Sequence, residues 1–237
     1  MVNTILLGDA YQLIKQLPDN SVDCIYTDIP YLHEVGGGGK SNIAKRIIAK
    51  RDSIAFVSNG IDYKILDEFV RVMKRINCFI WCSKLQIVDI LNYFANKHKC
   101  RFEILVWAKT NPLPQTNNTW LGDLEYCLYF REQGVSLNSG YEIKSKWHQS
   151  ATNKHDKQQF THPTIKPLEL VRRHLLHATQ PHQIILDPFI GSGTTAIAAQ
   201  TTNRQFIGME IDPKWHTIAT DRLNNIDAHG QQSFIAR

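Results

Sequence analysis

The chain has 237 residues, 43% of them hydrophobic and 21% charged, with a net charge of +5. That composition excludes a disordered or fibrous chain, and the length fits one substantial core with a small inserted lobe better than a tandem array. No stretch approaches the roughly 20 apolar residues a bilayer span needs. The start, MVNTILLGDAYQ, lacks the pattern of a secretory leader, so a cytoplasmic protein off the membrane is expected, its mild positive charge compatible with a polyanion partner.

TILLGD (4–9) is predicted as a strand and AYQLIKQL as a helix stopped by Pro18. VDCIYTD (22–28) is a second strand, followed by a connection from 32 to about 60 that is too long for a simple turn. YKILDEFVRVMKRI reads as an amphipathic helix, CFIWC as a strand, 84–97 as a helix, and FEILVWAK and EYCLYFRE as strands. From Gln133 to Thr161 the chain is polar and weakly periodic, which marks an insert. PLELVRRHLLHAT is a helix with Pro167 in its first turn, QIILDPF a strand, GTTAIAAQT a helix, QFIGMEID a strand and PKWHTIATDRLNNI a final helix. Seven strands result, and their alternation with helices predicts a sheet covered by helices. The five cysteines lie mostly inside apolar runs, where reduced buried thiols are expected; no CxxC pair or carboxylate at ligand spacing completes a metal site, and none is expected.

Two short stretches carry chemistry. GGGGKS (36–41) supplies half of a phosphate loop, but Glu34 stands where its first glycine is needed, so that reading is set aside. The informative residues precede it: Asp28-Ile29-Pro30-Tyr31 closes a strand, where parallel-sheet enzymes place reacting groups. A carboxylate and the Ile29 carbonyl can grip both hydrogens of an exocyclic amino group and aim its lone pair, Pro30 stiffens the backbone, and Tyr31 offers a ring for a base to stack on.

The second stretch is QIILDPFIGSGTTAIAA, in which a strand runs into Gly191-Ser192-Gly193 and a small-residue helix, the setting for a nucleoside-containing cofactor. Glu210, closing the next strand, suits ribose hydroxyls. Asp187 at the strand tip suits an ammonium group, which S-adenosylmethionine carries and a dinucleotide lacks, so a nicotinamide oxidoreductase is disfavoured.

With both motifs in this order, the chain resembles the beta group of the DNA amino-methyltransferases, which carry a D-P-P-Y or S-P-P-Y tetrapeptide and an F-x-G-x-G cofactor loop. GDAYQLIKQLPDNSVDCIYTDIPY, WAKTNP, HPTIKPLELV, ILDPFIGSGTTAIAA and GMEID carry the likeness over most of the chain. It implies an α/β fold with a Rossmann-like seven-stranded mixed sheet in circularly permuted order. Residues 1–132 would form the catalytic half with a mobile loop at 32–60, 133–161 a target-recognition insert, and 162–237 the cofactor-binding half.

The same resemblance implies S-adenosylmethionine as cofactor, with S-adenosylhomocysteine as product. Asp9 and Ala10 would meet the adenine of the cofactor, Asp187, Phe189, Gly191, Gly193 and Thr194 its methionine part, Glu210 its ribose, and Thr164 and Lys166 its carboxylate end. The substrate implied is adenine N6 in double-stranded DNA, flipped out of the helix; cytosine-N4 or RNA amino groups, and a catalytically idle nucleic-acid binder, are the alternatives. Lys40, Lys45, Arg46, Lys50 and Arg51, with no acid among residues 40–51, and Lys144, Lys146 and Lys154 of the insert are the candidate DNA contacts. A second copy of the chain and a cognate restriction nuclease are candidate partners. The chain departs from the family at Ile29, where proline is usual; only that residue's backbone carbonyl is needed, and a less rigid loop is expected.

Overall fold

The computed structural model describes residues 2–32, 60–112, 120–152 and 165–226. Their centre is one mixed sheet of eight strands: β1 (Thr4–Leu7), β2 (Cys24–Asp28), β3 (Asn77–Cys82), β4 (Arg101–Lys109), β5 (Leu124–Arg131), β6 (Trp147–Ser150), β7 (Ile184–Asp187) and β8 (Gln205–Glu210). Their order across the sheet is β1-β8-β7-β2-β3-β5-β4-β6. Strand β5 runs antiparallel to β3 and β4; the other pairings are parallel.

Helices cover both faces because the central strands are apolar on both. Period-two alternation sends Ile25 of β2 to one face and Cys24 and Tyr26 to the other. On the first face pack α1 (Ala10–Leu13), α2 (Ile65–Val72) and α3 (Ile87–Leu91), with Ile14, Phe69, Ile80, Phe94 and Met209 in the layer. On the second lie α4 (Leu168–Ala178), α5 (Thr194–Thr201) and α6 (Pro213–Asn224), around Phe79, Trp81, Trp107, Leu175 and Phe206. All five cysteines are buried and unpaired. Among the described residues no helix is long and apolar enough to cross a membrane.

The eighth strand corrects the count of seven. Trp147–Ser150 falls in the polar insert, yet it pairs in parallel with Val106–Lys109 of β4. It is a four-residue edge strand whose residues stay half or fully exposed, so it carries none of the apolar run that betrays a central strand. The backbone N–H of Val106 donates to Lys146 and that of Thr110 to Ser150, at 2.8 and 3.0 Å, and the Trp107 indole donates to Ser150 Oγ at 2.9 Å. The described part of the insert thus widens the sheet.

Some helix limits also differ from the periodic runs. Met73 leaves α2 because it is drawn into an extended bridge with Val22, and α3 passes into a π-helical turn over Asn92–Lys97. Pro167 sits just before α4 as its cap, with φ −60° and ψ 128°.

The direction of chain progress reverses between β7 and β2. From β7 the sheet proceeds through β8 to β1, and from β2 it proceeds to β3, so the carboxyl ends of β7 and β2 flank a topological switch point, where open α/β sheets bind ligands.

Candidate active site

Two strand ends frame the site. Strand β2 runs directly into Asp28-Ile29-Pro30-Tyr31, and β7, its parallel neighbour through Cys24↔Ile185 and Ile25↔Leu186, ends at Asp187. The two carboxylates are close enough that Asp28 raises the pKa of Asp187.

Asp28 is held by Lys166. The ammonium lies 2.6 Å from Asp28 Oδ2, donates to the Tyr31 hydroxyl at 3.1 Å, and stands 2.9 Å from Glu125 Oε2 and 5.0 Å from the centre of a Trp81 ring. Lys109 Nζ completes the row, 2.7 Å from Glu125 Oε1. Charges therefore alternate Asp28, Lys166, Glu125, Lys109, from a tip of β2 to the β4–β5 pair. The Lys166 side chain is 6% exposed and that of Asp28 26%, so the carboxylate is reachable by a ligand while the cation is enclosed. Asp28 Oδ1 is shielded from solvent, and the Tyr31 hydroxyl stands close enough to hydrogen-bond the carboxylate.

Burial sets the electrostatics. It raises Asp28 above the ordinary carboxylate range, with Lys166 acting against it. Glu125 feels the same desolvation, but Lys166 and Lys109 overcome it and push the group down to about 2. Desolvation also works against the Lys166 ammonium, and the Asp28 and Glu125 carboxylates outweigh it, so the lysine titrates above its usual value. Burial lifts Tyr31 well above an ordinary phenol, and it stays neutral.

Ile29 does more than stand in for proline. Its side chain is buried in the core at 1% exposure, and its N–H, which proline would lack, donates to the Trp81 carbonyl at 3.2 Å. That bond prolongs the β2–β3 ladder into the tetrapeptide, a source of rigidity the sequence reading did not anticipate.

Across the switch point lies the glycine turn. Gly191 and Gly193 have φ of +53° and +85°, and a Cβ on Gly193 would stand 3.0 Å from Ala219 Cβ of α6, so both handedness and packing call for glycine there. Arg222 of α6, 4% exposed, donates to the carbonyl and hydroxyl of Ser192 and fixes the turn from behind. Among the described residues Asp187 has no cationic partner. Burial pushes it up to about 7, against the Phe189 N–H, which donates to Oδ1 at 3.1 Å, and the nearby Thr195 and Thr27 hydroxyls. Glu210, raised by burial, accepts from the N–H of Gly191 and of Asp212, both at 2.9 Å. Thr194 opens α5 and is buried; Phe189 meets Tyr11 edge to face at 6.4 Å.

One strand further, the Gly8 N–H donates to the Glu210 carbonyl at 2.8 Å, and Asp9 caps α1 by accepting from the Tyr11 N–H at 3.0 Å, with Ala10 buried beside it. Asp187, Glu210 and Asp9 thus follow the ends of β7, β8 and β1, a row about 10 Å long at ordinary strand spacing. Such a row matches an elongated nucleoside with an ammonium at one end, and the unpaired buried carboxylate and glycine turn fit that group.

Other expected residues fall differently. Lys166 lies on Asp28 and Glu125, on the catalytic side of the crevice. Lys144 is exposed in a 3-10 turn, and exposed Lys146 pairs with Glu103 of β4 at 2.5 Å. Lys40, Lys45, Arg46, Lys50, Arg51, Lys154 and Thr164 lie outside the described residues. Glu125, Lys109 and Gln86 were not singled out from the sequence. Only the antiparallel pairing of FEILVWAK with EYCLYFRE, which sets Trp107 opposite Glu125, would have brought the first two together. Among the described residues no group of three or more His, Cys, Asp or Glu is arranged to hold a metal ion.

Comparison with known proteins agrees with this geometry. A family model described as DNA methylase (N6_N4_Mtase) matches residues 22–221. Type II methyltransferase M2.LlaDCHI of Lactococcus lactis subsp. cremoris is 31% identical over 96% of this chain and 92% of its own. Type II methyltransferase M2.DpnII of Streptococcus pneumoniae is 29% identical over 91% and 87%. Among solved structures, the M1.HpyAVI–SAM complex matches the fold with a TM-score of 0.70 at 24% identity, over 93% of this chain and 98% of its own. The cytosine-N4-specific PvuII DNA methyltransferase gives 0.67 at 14% identity, over 92% and 84%.

Proposed function

This chain belongs to the DNA methylase family of S-adenosylmethionine-dependent amino-methyltransferases, and from that premise we propose that it methylates adenine N6 in double-stranded DNA, on a base turned out of the helix. The observation that carries the proposal is the placement of Asp28 and Asp187 on adjacent strand ends: one carboxylate partly exposed and held by Lys166, the other buried without a cation among the described residues. The acidic first residue of the tetrapeptide favours adenine over cytosine, because the family's cytosine-N4 members typically carry serine there.

The bound cofactor supplies a methyl group on a positively charged sulfur. Asp187 would hold its ammonium, the Gly191–Gly193 turn would admit its chain, Glu210 would take the ribose and Asp9 the adenine. The remaining work belongs to the catalytic side.

An exocyclic amine is a poor nucleophile because its lone pair is delocalised into the ring. Asp28 and the Ile29 carbonyl would accept its two hydrogens, turning the nitrogen towards a tetrahedral shape, while Tyr31 packs on the base. As the nitrogen gains its methyl group it becomes cationic, and an ionised Asp28 in a dry site stabilises that charge before the proton leaves. Lys166 opposes the effect of burial and favours the ionised form of Asp28, and Glu125 keeps Lys166 in place. In the structure the Lys166 ammonium occupies an N–H donor position on Oδ2, the kind of donor the target amine would present. A base inside a duplex cannot reach this crevice, so flipping is required at a cost of a few kcal/mol.

Incubation with DNA and methyl-labelled S-adenosylmethionine, followed by digestion to nucleosides, tests the assignment. Label in N6-methyladenine is expected; label in N4-methylcytosine would move the chain to the cytosine branch, and DNA retention without label would make it an idle binder.

A further inference from the structure

Gln86, with no exposed surface, stands where the tetrapeptide meets the start of the long connection. Its Nε2 donates to the Pro30 carbonyl at 3.0 Å. Its Oε1 accepts from the Leu32 N–H at 3.2 Å and from the N–H and hydroxyl of Ser83, both at 3.0 Å. One amide therefore grips the peptide groups on both sides of Tyr31 and ties them to the turn after β3.

Chain geometry makes this grip consequential. The Ile29 N–H is already fixed to Trp81, so the backbone is pinned before and after the Ile29 carbonyl and on either side of Tyr31. Gly60, where the described chain resumes, also closes on this point: a Cβ there would lie 3.5 Å from Leu32 and 3.8 Å from Gln86 Nε2. Leu32 and Gly60 thus meet beside the same amide. A bond set this complete costs side-chain freedom and desolvation of a polar group, and packing alone would be met by an apolar residue.

We propose that Gln86 is a positioning residue for methyl transfer, clamping Pro30 and Leu32 so that the Ile29 carbonyl and the Tyr31 ring stay aimed at the target base. The inference rests on the function proposed above. It assigns to one amide the stiffness that the proline usual at the position of Ile29 would otherwise provide, jointly with the Ile29–Trp81 bond. Gln86 acts through the tetrapeptide and touches neither substrate nor cofactor, so its loss should spare cofactor binding.

Two variants test it. Gln86→Met keeps length and apolar volume but removes all four hydrogen bonds; kcat for DNA methylation is expected to fall roughly tenfold to a hundredfold, the scale of a misaligned reacting group, with the dissociation constant for S-adenosylhomocysteine unchanged. Gln86→Glu keeps the acceptor for Leu32 and Ser83, and when ionised cannot donate to Pro30. Protonation restores that donor, so the kcat of Gln86→Glu relative to the parent should rise as pH is lowered. Parent-like kcat in Gln86→Met, or a Gln86→Glu ratio flat with pH, overturns the inference. An Asp28→Ala variant run beside them separates the two claims: undiminished turnover there sinks the proposed function, whereas an inactive Asp28→Ala beside a fully active Gln86→Met sinks only the role of Gln86.

Discussion

Lys166 and Asp28, 138 residues apart in the chain, meet as a 2.6 Å ion pair at the carboxyl end of β2. The pair joins the segment leading into α4 to the end of β2, so a residue distant in the chain carries the counter-charge for Asp28.

Removing that counter-charge should change how the enzyme responds to acid. Asp28 must be ionised to stabilise the positive charge that develops on the amine, burial raises it, and Lys166 holds it down. Activity should therefore fall as pH drops through the raised Asp28 value. In Lys166→Met the acid limb of kcat should move up, because the opposite charge that holds Asp28 down is lost. A pH–rate profile of single-turnover methylation reads this directly. Stability should fall by about 3 kcal/mol, the lower end for a broken buried pair, because Asp28 keeps some access to water.

Glu125 makes a separate contribution, to stability. Its folded pKa is depressed to about 2 from an ordinary 4.5, so the stability it provides is full above about 4.5 and is lost as pH falls towards about 2. Urea unfolding of Glu125→Gln should find it less stable than the parent at neutral pH, with the difference narrowing below about 4.5. A gap that stayed constant into acid would contradict the ion-pair account.

Asp187 supplies a test on the cofactor side. Pushed up to about 7 by burial, it is largely protonated below that value and cannot hold an ammonium. Affinity for S-adenosylhomocysteine, measured by calorimetry, should rise as pH increases through about 7, and Asp187→Asn should bind weakly without that rise. The raised value also means that Asp187 favours the folded state most below its ordinary 3.8 and that this contribution is lost as pH climbs through about 7 in the absence of ligand.

The glycine turn should tolerate no side chain. Gly193→Ala must place a Cβ at φ +85° and against Ala219, at a cost of about 1–3 kcal/mol for the backbone alone. Thermal unfolding should show the loss, and cofactor binding should weaken with it because the turn that admits the ligand is displaced.

The sequence made seven strands legible for a physical reason: strands such as Cys24–Asp28 and Asn77–Cys82 are buried on both faces and read as unbroken apolar runs. Trp147–Ser150 did not stand out, because an edge strand half open to water carries polar residues. Asp28 and Asp187 were legible because each closes such a run. Lys166 was noticed, but its partner was not, since its ion pair to Glu125 depends on how β5 returns beside β4, which no local pattern encodes. Gln86 was invisible for the same reason: a lone glutamine in a turn gains its role only from Pro30 and Leu32, more than fifty residues earlier.

The central claim is that Asp28 orients the target amine while a separate set of residues holds the cofactor. Single-turnover methyl transfer by Asp28→Ala, set beside its affinity for S-adenosylhomocysteine, tests it most directly. The account expects transfer to be nearly abolished with affinity retained. Transfer at the parent rate, or a loss of transfer that merely follows a loss of cofactor binding, would contradict it.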